Sequence, residues 1–180
     1  QKIIKDKSIK LIRLNEKRKK IEQEILAEID FEKIKKENKN VIVHYNKNFN
    51  EGLIGIIAAR LKDHFNKPTI VITKSNNILK ASARSTSKYN IGNLIKKLID
   101  NKIIVSGGGH SMAAGFTIEK KKVILLDEFI QNDYIQKVAR LDNSTIYEME
   151  ISPSAINIEF MNNLNKLGPF GNYNFLPTFL

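Results

Sequence analysis

The sequence predicts an α/β domain in which a sheet is flanked by helices, with a long helix before it and the start of a second domain after it. Three observations lead to this prediction. Short apolar stretches typical of strands alternate with helical periodicity over residues 39–140. A highly charged stretch of helical spacing occupies residues 1–38, and the pattern changes again after Arg140. Alternating strands and helices favour a helix-covered sheet with ligands near the strand ends.

The amino-terminal stretch is predicted to be one helix over residues 1–37. Its isoleucines recur mostly at three- or four-residue steps with charged residues between them, so it is interpreted as a connector between domains. Within the α/β domain, Pro68 ends the first helix and Asn76-Asn77 predicts a hairpin turn. The predicted helices are 52–65, 91–99, a short one at 111–114, and 123–138. The predicted strands are 41–45, 69–73, 78–84, 103–106 and 116–118.

Residues 141–180 are predicted to begin another domain. The pattern gives a strand at 145–151, a helix at 154–167 capped by Ser152 or Ser154, and a sharp turn at 167–172. The chain starts at Gln1 and stops in an apolar stretch that ends at Leu180, which suggests a piece of a longer protein. One complete domain with parts of its neighbours is therefore expected.

Composition narrows the function classes. The chain has no cysteine, no apolar run of about 20 residues and no signal-peptide pattern, so a soluble, cytoplasmic protein with no membrane association is expected. The net charge is +11, and residues 41–122 contribute +10 of it, from 14 basic and 4 acidic side chains. A basic segment of this kind favours an anionic partner. The biased codon usage of an AT-rich genome explains the lysine content equally well.

The glycine-rich segment Gly107–Gly115 is the first candidate site. Glycines after a strand allow close approach of a ligand to the backbone, and the amides of Gly108 and Gly109 could turn toward an anion. His110 could donate a hydrogen bond to a phosphate. The alternative is an ordinary tight turn, because the spacing fits neither a dinucleotide fingerprint nor a phosphate loop with Gly-Lys-Ser/Thr.

Ser82 and Arg84 form the second candidate site. Strand alternation places them on one face, where a hydroxyl and a guanidinium can bind one phosphate together. Arg84 is one of five arginines beside 25 lysines, and in such a background an arginine favours a planar, multidentate contact. The same reasoning makes Arg18 and Arg60 candidates. Surface cations with buried stems are the alternative for each.

Catalytic chemistry is not visible in the sequence. The helix pattern from Gly52 to Leu61 indicates close packing rather than chemistry, and Asp63-His64 lies in a charged helical stretch typical of a solvated helix end. Three histidines, no cysteine and scattered carboxylates predict neither a metal site nor a nucleophilic triad. The sequence therefore predicts an anion site without catalytic machinery.

The order and spacing of these segments resemble the RecJ family of the DHH phosphoesterase superfamily. Leu14 to Glu22 is similar to that family's linker helix. Gly52 to Leu61, Ser82 to Ser85 and Gly108 to Gly115 resemble motifs of its accessory domain, DHHA1. Leu167 to Asn172 is similar to the motif that leads into its oligonucleotide-binding (OB) barrel. The family commonly has Trp-His-x-Gly where this chain has Phe-Asn-Glu-Gly at 49–52, so that histidine has no counterpart here.

The resemblance implies a role and a division of the chain. Residues 1–38 would be the linker helix, 39–140 the DHHA1 substrate-binding domain and 141–180 the start of the OB-like domain. The family implies a 5′ to 3′ exonuclease on single-stranded DNA in repair and recombination, with Mn²⁺ or Mg²⁺ held by a DHH catalytic domain that this chain lacks. Substrate phosphates would contact the residues Ser82, Arg84, Gly108, Gly109, His110, Arg60 and Arg18. No residue of the chain is predicted to be catalytic or to bind metal, and the chain alone is predicted to be inactive.

Two other functions remain open from the sequence. One is the accessory domain of an oligoribonuclease or cyclic-dinucleotide phosphodiesterase, although the chain after Arg140 argues against it. The other is a nucleic-acid-binding module that works without a catalytic domain.

Overall fold

The computed structural model describes residues 2–138, 147–171 and 174–180. The chain forms two compact units, Gln1–Leu141 and Asp142–Leu180. The first unit contains a five-stranded sheet whose strands are β1 (Ile42–Tyr45), β2 (Thr69–Ser75), β3 (Ile78–Arg84), β4 (Ser106–Gly109) and β5 (Ala113–Ile118). Its helices are α1 (Lys2–Glu28), α2 (Phe31–Glu37), α3 (Ile54–Phe65), α4 (Ile91–Asp100) and α5 (Val123–Val138). The predicted α/β class with helices flanking a sheet is confirmed.

The strand order is β1-β2-β3-β5-β4. β1 is parallel to β2, because α3 crosses over between them, and the other pairs are antiparallel. β2 and β3 form the hairpin predicted from Asn76-Asn77, and Asn76 has the positive φ of 53° that suits asparagine in a tight turn.

Side chains alternate between the two faces of the sheet, so each face has its own apolar cluster. Ile70, Ile72, Ala81 and Ala83 pack with α4 and α5, while Val71 packs with α3 and the carboxyl-terminal end of α1. α4 buries the side chains on one stripe: Ile91, Leu94, Ile95 and Leu98. α3 covers β2 and β3 on its face, which leaves the neighbouring surface of β5 and β4 open to ligands.

The prediction of one helix over residues 1–37 was wrong. The helix stops after Glu28 and a second one starts at Phe31, because the Asp30 carboxylate accepts a hydrogen bond from the Lys33 amide at 2.8 Å and caps the new helix. None of the helices in the described part of the chain combines the length and apolar character needed to cross a bilayer.

Two predictions around the glycines were also wrong. The strand predicted at 103–106 lies instead at Ser106–Gly109, so the glycines form the strand rather than follow it. The short helix predicted at 111–114 does not form. Those residues close a hairpin, in which the His110 amide donates to the Ala113 carbonyl at 2.8 Å, and β5 starts at Ala113. Pairing with β5 over four registered residue pairs outweighs the low strand preference of glycine.

In the described part of the second unit, the helix α6 (Ile158–Asn165) follows a 3₁₀ turn at Pro153–Ala155. Asn157 caps α6 by accepting from the Phe160 amide at 2.9 Å, so the predicted start near Ser152 or Ser154 was wrong. Of the strand predicted at 145–151, residues 145 and 146 lie outside the described residues, and Met149 makes only an isolated bridge to Phe179. The turn predicted at 167–172 also reaches an undescribed residue, Asn172. Division of the chain into linker, DHHA1 and OB-like parts stays a prediction.

Candidate nucleic-acid interface

A groove of about 470 Å³ lies between the amino-terminal end of α3 and the open face of the sheet. Strand register arranges this face in rows, with Ser82 of β3 beside Gly115 of β5 and Gly115 beside Gly108 of β4. The groove is lined in part by Glu51, Gly55, Lys80, Ser82, Gly115 and Thr117. Its floor has few side chains, so a ligand can approach the backbone closely.

Ser82 and Arg84 occupy alternate positions on β3 and share the face that borders the groove, as predicted. Arg84 Nη1 donates to the Ala83 carbonyl at 2.9 Å and lies 3.4 Å from Ser82 Oγ. These contacts use one of the guanidinium nitrogens and fix its plane. The other donors of the guanidinium remain suited to a phosphate or carboxylate, which are the anions that match its fork.

Gly55 in the first turn of α3 lies directly against this pair. A Cβ at this position would be 3.1 Å from Ser82 Oγ and 3.2 Å from Arg84 Nη2, so a side chain would crowd both groups. α3 has no side-chain cap at Leu53, and the amino terminus of a helix adds partial positive charge to what lies in front of it. The hydroxyl, the guanidinium and the helix terminus therefore favour an anion at the same place.

The three glycines of β4 have different roles. A Cβ on Gly107 would lie 2.7 Å from Phe116 Cβ, and one on Gly109 would lie 2.4 Å from the Ala113 carbonyl oxygen, so both positions require glycine for packing. A Cβ on Gly108 would have nothing within 4 Å. Gly108 therefore keeps open the sheet surface beside Gly115, which lines the groove, and none of these glycines has a positive φ.

The amide of Gly109 is placed to reach a ligand. His110 bonds to Ala113, and successive residues of an antiparallel strand direct their amides to opposite sides. The amide of Gly109 therefore points away from β5 toward the edge of the sheet, since β4 is an edge strand. Because the helix predicted at 111–114 does not form, no helix terminus adds to an anion site directly after the glycines.

His110 stands at the start of the turn between β4 and β5 and is exposed. Its imidazole has no hydrogen-bond partner among the described residues. The turn is held from two sides, because the Ser85 amide donates to Met112 at 2.9 Å and the Ile91 amide donates to Ser111 at 3.0 Å. Because Ser85 follows Arg84, the turn with His110 adjoins the strand end with Arg84. Five predicted site residues thus lie along one end of β3, β5 and β4: Ser82, Arg84, Gly108, Gly109 and His110.

Arg18 and Arg60 lie elsewhere, where α1 contacts α3. Both guanidinium groups bind the carboxylate of Glu22, Arg18 Nη1 at 3.0 Å and Arg60 Nε at 2.7 Å, and Glu22 is 4% exposed. Arg60 is five positions after Gly55, which is about 140° around the helix and therefore a different side of α3. The ion pairs with Glu22 raise the pKa of Arg60, first through the hydrogen bond and then through charge attraction. A role of Arg18 and Arg60 as phosphate contacts stays a prediction.

A second cavity of about 220 Å³ lies beside β1 and α2, with His44, Lys33 and Glu37 in its lining. Burial lowers the pKa of His44, and the charge of Glu37 opposes that effect in part. The lining mixes acidic and basic groups and includes none of the predicted phosphate contacts, so the groove beside α3 is the better candidate site.

Sequence reasoning missed part of the groove. Lys80 was not singled out, although it alternates with Ser82 and Arg84 on the same strand, and that spacing was a usable signal. Glu51 and the hydroxyl pair of Ser106 and Thr117 (2.7 Å apart) were missed because only the folded sheet brings them to the groove.

A metal ion in a protein needs several ligating side chains at one place. Over residues 2–138, 147–171 and 174–180 no three His, Cys, Asp or Glu side chains come together in a way that could hold one. The groove instead presents groups that suit an anion.

The sheet order and the helices that cover it define residues 2–138 as an α/β domain with a groove beside α3. Residues 38–136 match the model of the DHHA1 domain, and the chain belongs to the DHHA1 domain family. The chain is also similar to longer proteins. The chain is 28% identical to the single-stranded-DNA-specific exonuclease RecJ of Salmonella typhimurium over 172 residues, which are 88% of this chain and 29% of the relative.

Similarity extends to other species and to solved structures. RecJ of Bacillus subtilis is 32% identical over 136 residues, 73% of this chain and 17% of that protein. The crystal structure of RecJ from Thermus thermophilus in complex with Mg²⁺ matches 94% of this chain and 26% of its own with a TM-score of 0.68 and 20% identity, which shows a shared fold. The chain spans less than a third of the length of these relatives.

Proposed function

We propose that this chain is the substrate-binding part of a 5′ to 3′ single-stranded-DNA exonuclease that acts in DNA repair and recombination. The groove would bind phosphates of the strand, and a DHH catalytic domain outside this chain would hydrolyse the phosphodiester bond. The similarity to RecJ proteins supports the substrate class. The single observation that supports binding most directly is Ser82 and Arg84 beside Gly55, where three groups favour one anion. Such a role implies a cytoplasmic location.

Each residue has a proposed task. Ser82 and Arg84 bind a terminal or backbone phosphate through charge-assisted hydrogen bonds. The Gly109 amide and His110 hold a phosphate that faces the catalytic domain, and Gly108 leaves room for the strand. Positioning of this kind lets metal-activated water attack in line with the scissile bond. Arg18 and Arg60 remain candidate contacts, although their ion pairs with Glu22 favour a role in joining α1 to α3.

The metal ions belong to the other part of the proposed enzyme. RecJ of Thermus thermophilus was crystallised with Mg²⁺ and also with Mn²⁺. Because the described residues of this chain form no metal-binding group, Mg²⁺ or Mn²⁺ would be held by the DHH catalytic domain. That domain and single-stranded DNA are the proposed partners.

The division of labour is tested with the purified 180-residue chain and an end-labelled single strand. We expect the chain to retard the strand in a gel without shortening it, with or without Mn²⁺. Adding the separate catalytic domain should restore hydrolysis if the linker still docks. Release of nucleotides by the chain alone, abolished by a chelator, would show a catalytic site in this chain and contradict the proposal. Competition with single-stranded RNA of equal length tests the oligoribonuclease alternative.

A further inference from the structure

Lys80, Ser82 and Arg84 form a row along one face of β3. Alternate residues of a strand share a face and are about 6.7 Å apart. Two residues of a protein strand contain the same number of backbone bonds as one nucleotide. An extended nucleic-acid strand therefore repeats its phosphates at a similar interval, and the row has the spacing of successive phosphates.

The surface beside the row can accommodate such a strand. Ser82 neighbours Gly115, and Lys80 neighbours Thr117, in the register of β3 with β5. A Cβ on Gly115 would have only the Ala81 carbonyl oxygen within 4 Å, at 3.6 Å, so the floor of the groove is open next to Ser82. The backbone of the ligand can then run parallel to β3, with only the small Ser82 side chain between the two cations.

Lys80 already binds an anion at this place. Its ammonium lies 3.0 Å from Glu51 Oε1, and the two side chains are 44% and 49% exposed. An ion pair this exposed contributes little net free energy, because water solvates both charges. Phosphate can replace Glu51 at small cost. Hydrogen bonds from Ser75 and then Lys80 lower the pKa of Glu51, so the side chain is a charged competitor at neutral pH.

We propose that Lys80 is a second phosphate contact, one nucleotide along the strand from the phosphate held by Ser82 and Arg84, and that Glu51 is the counter-ion that the second phosphate displaces. This inference rests on the proposed function of the groove. It makes the groove selective for ligands with at least two phosphates in series, and it makes Glu51 a built-in competitor of the DNA.

The test uses the full chain and two probes, thymidine 5′-monophosphate and 5′-phosphorylated dithymidylate, with affinities from NMR titration. Lys80→Ala should weaken the dinucleotide about tenfold, as for one lost charge-assisted contact, and leave the mononucleotide unchanged. Arg84→Ala should weaken both. Lys74→Ala is the matched control, because Lys74 is exposed on β2 and pairs with the core residue Leu79, on the other face of the sheet.

A double-mutant cycle tests the role of Glu51. Glu51→Gln should strengthen dinucleotide binding in the wild-type chain and have a clearly smaller effect in Lys80→Ala, because the competitor matters only while Lys80 is present. An equal gain in both backgrounds would show general repulsion and overturn the counter-ion role. If Lys80→Ala lost equal affinity for both probes, or lost no affinity for either, the proposal of a second phosphate contact would be wrong. If Arg84→Ala changed neither probe, the proposed function itself would fail, which is a separate outcome.

Discussion

At the scale of single residues, neighbouring glycines of β4 have opposite requirements. A methyl on Gly109 would lie 2.4 to 2.5 Å from Ala113 and Ala114, whereas one on Gly108 would meet nothing within 4 Å. Gly109→Ala is expected to destabilise the fold by about 1 to 3 kcal/mol through overpacking. Gly108→Ala should keep the stability of the wild type and weaken DNA binding, because its methyl would stand on the open sheet surface beside the groove residue Gly115. Urea unfolding and strand binding of both variants check this; equal stabilities of the two would contradict it.

Asp133 is a buried acid beside the core cluster of α4 and α5, at 5% exposure. Burial raises its pKa, but hydrogen bonds from Lys97, Tyr89 and Lys137 outweigh burial and hold the pKa below its ordinary value. The carboxylate therefore stabilises the fold above the pKa of an unfolded aspartate, and this contribution is lost as the pH falls through the lower folded-state pKa. Burial and the bond to Asp133 also raise the pKa of Tyr89.

The prediction concerns Asp133→Asn, which keeps the shape of the side chain and removes its negative charge. At neutral pH the variant should be less stable by about 1 to 3 kcal/mol, because Tyr89 and two lysines lose a charged acceptor. On acidification the wild type should lose that advantage while the variant changes less. Thermal unfolding at a series of acidic pH values measures it, and a constant difference between the two proteins at every pH would exclude the proposed linkage.

At the scale of elements, Glu22 joins α1 to α3. Its buried carboxylate accepts from Arg18 on its own helix and from Arg60 on α3, so one side chain fixes both partners. Glu22→Gln should let this part of α1 open more often, with amide exchange about tenfold faster, as for one lost charge-assisted hydrogen bond. Glu24→Gln is the control, because Glu24 is exposed on the same helix. Hydrogen exchange followed by mass spectrometry compares the two; unchanged exchange in Glu22→Gln would refute the role.

The elements also show what the sequence could predict. β3 and α5 were predicted with their observed bounds, because local alternation and helical spacing agree there with the final packing. The break between α1 and α2 had a local signal in Asp30 that the isoleucine pattern concealed. The strand made of Gly107 to Gly109 had no local signal, since pairing with β5 and the packing of Phe116 define it.

At the scale of the whole molecule, the candidate site depends on contacts that are distant in sequence. Ser82 and Arg84 were predictable because alternation on one strand suffices, and the glycine turn with His110 was recognisable as a motif. Lys80 was predictable in the same way but was missed, whereas Gly55 and Glu51 join the site only when α3 packs on the sheet. The rarity of arginine among the many lysines made Arg18 and Arg60 candidates. It could not predict that both would bind Glu22.

Charge over the whole chain leads to one more prediction. Binding that depends on phosphate contacts releases counter-ions, so affinity for a single strand should fall as salt rises, with a slope of about 0.7 per phosphate contact on logarithmic axes. Removing one phosphate contact should reduce the magnitude of this slope by about 0.7. Affinity that does not depend on salt would show that stacking, rather than phosphate binding, holds the strand.

The central claim is that the groove beside α3 binds the phosphates of single-stranded DNA through Arg84. Fluorescence anisotropy of a labelled single strand, titrated with wild type, Arg84→Ala and Arg13→Ala, tests it most directly, because Arg13 is an exposed arginine of α1 outside the groove. Arg84→Ala should lose about 1 to 3 kcal/mol of binding free energy and Arg13→Ala clearly less, with both variants folded. Equal affinity of wild type and folded Arg84→Ala would contradict the claim.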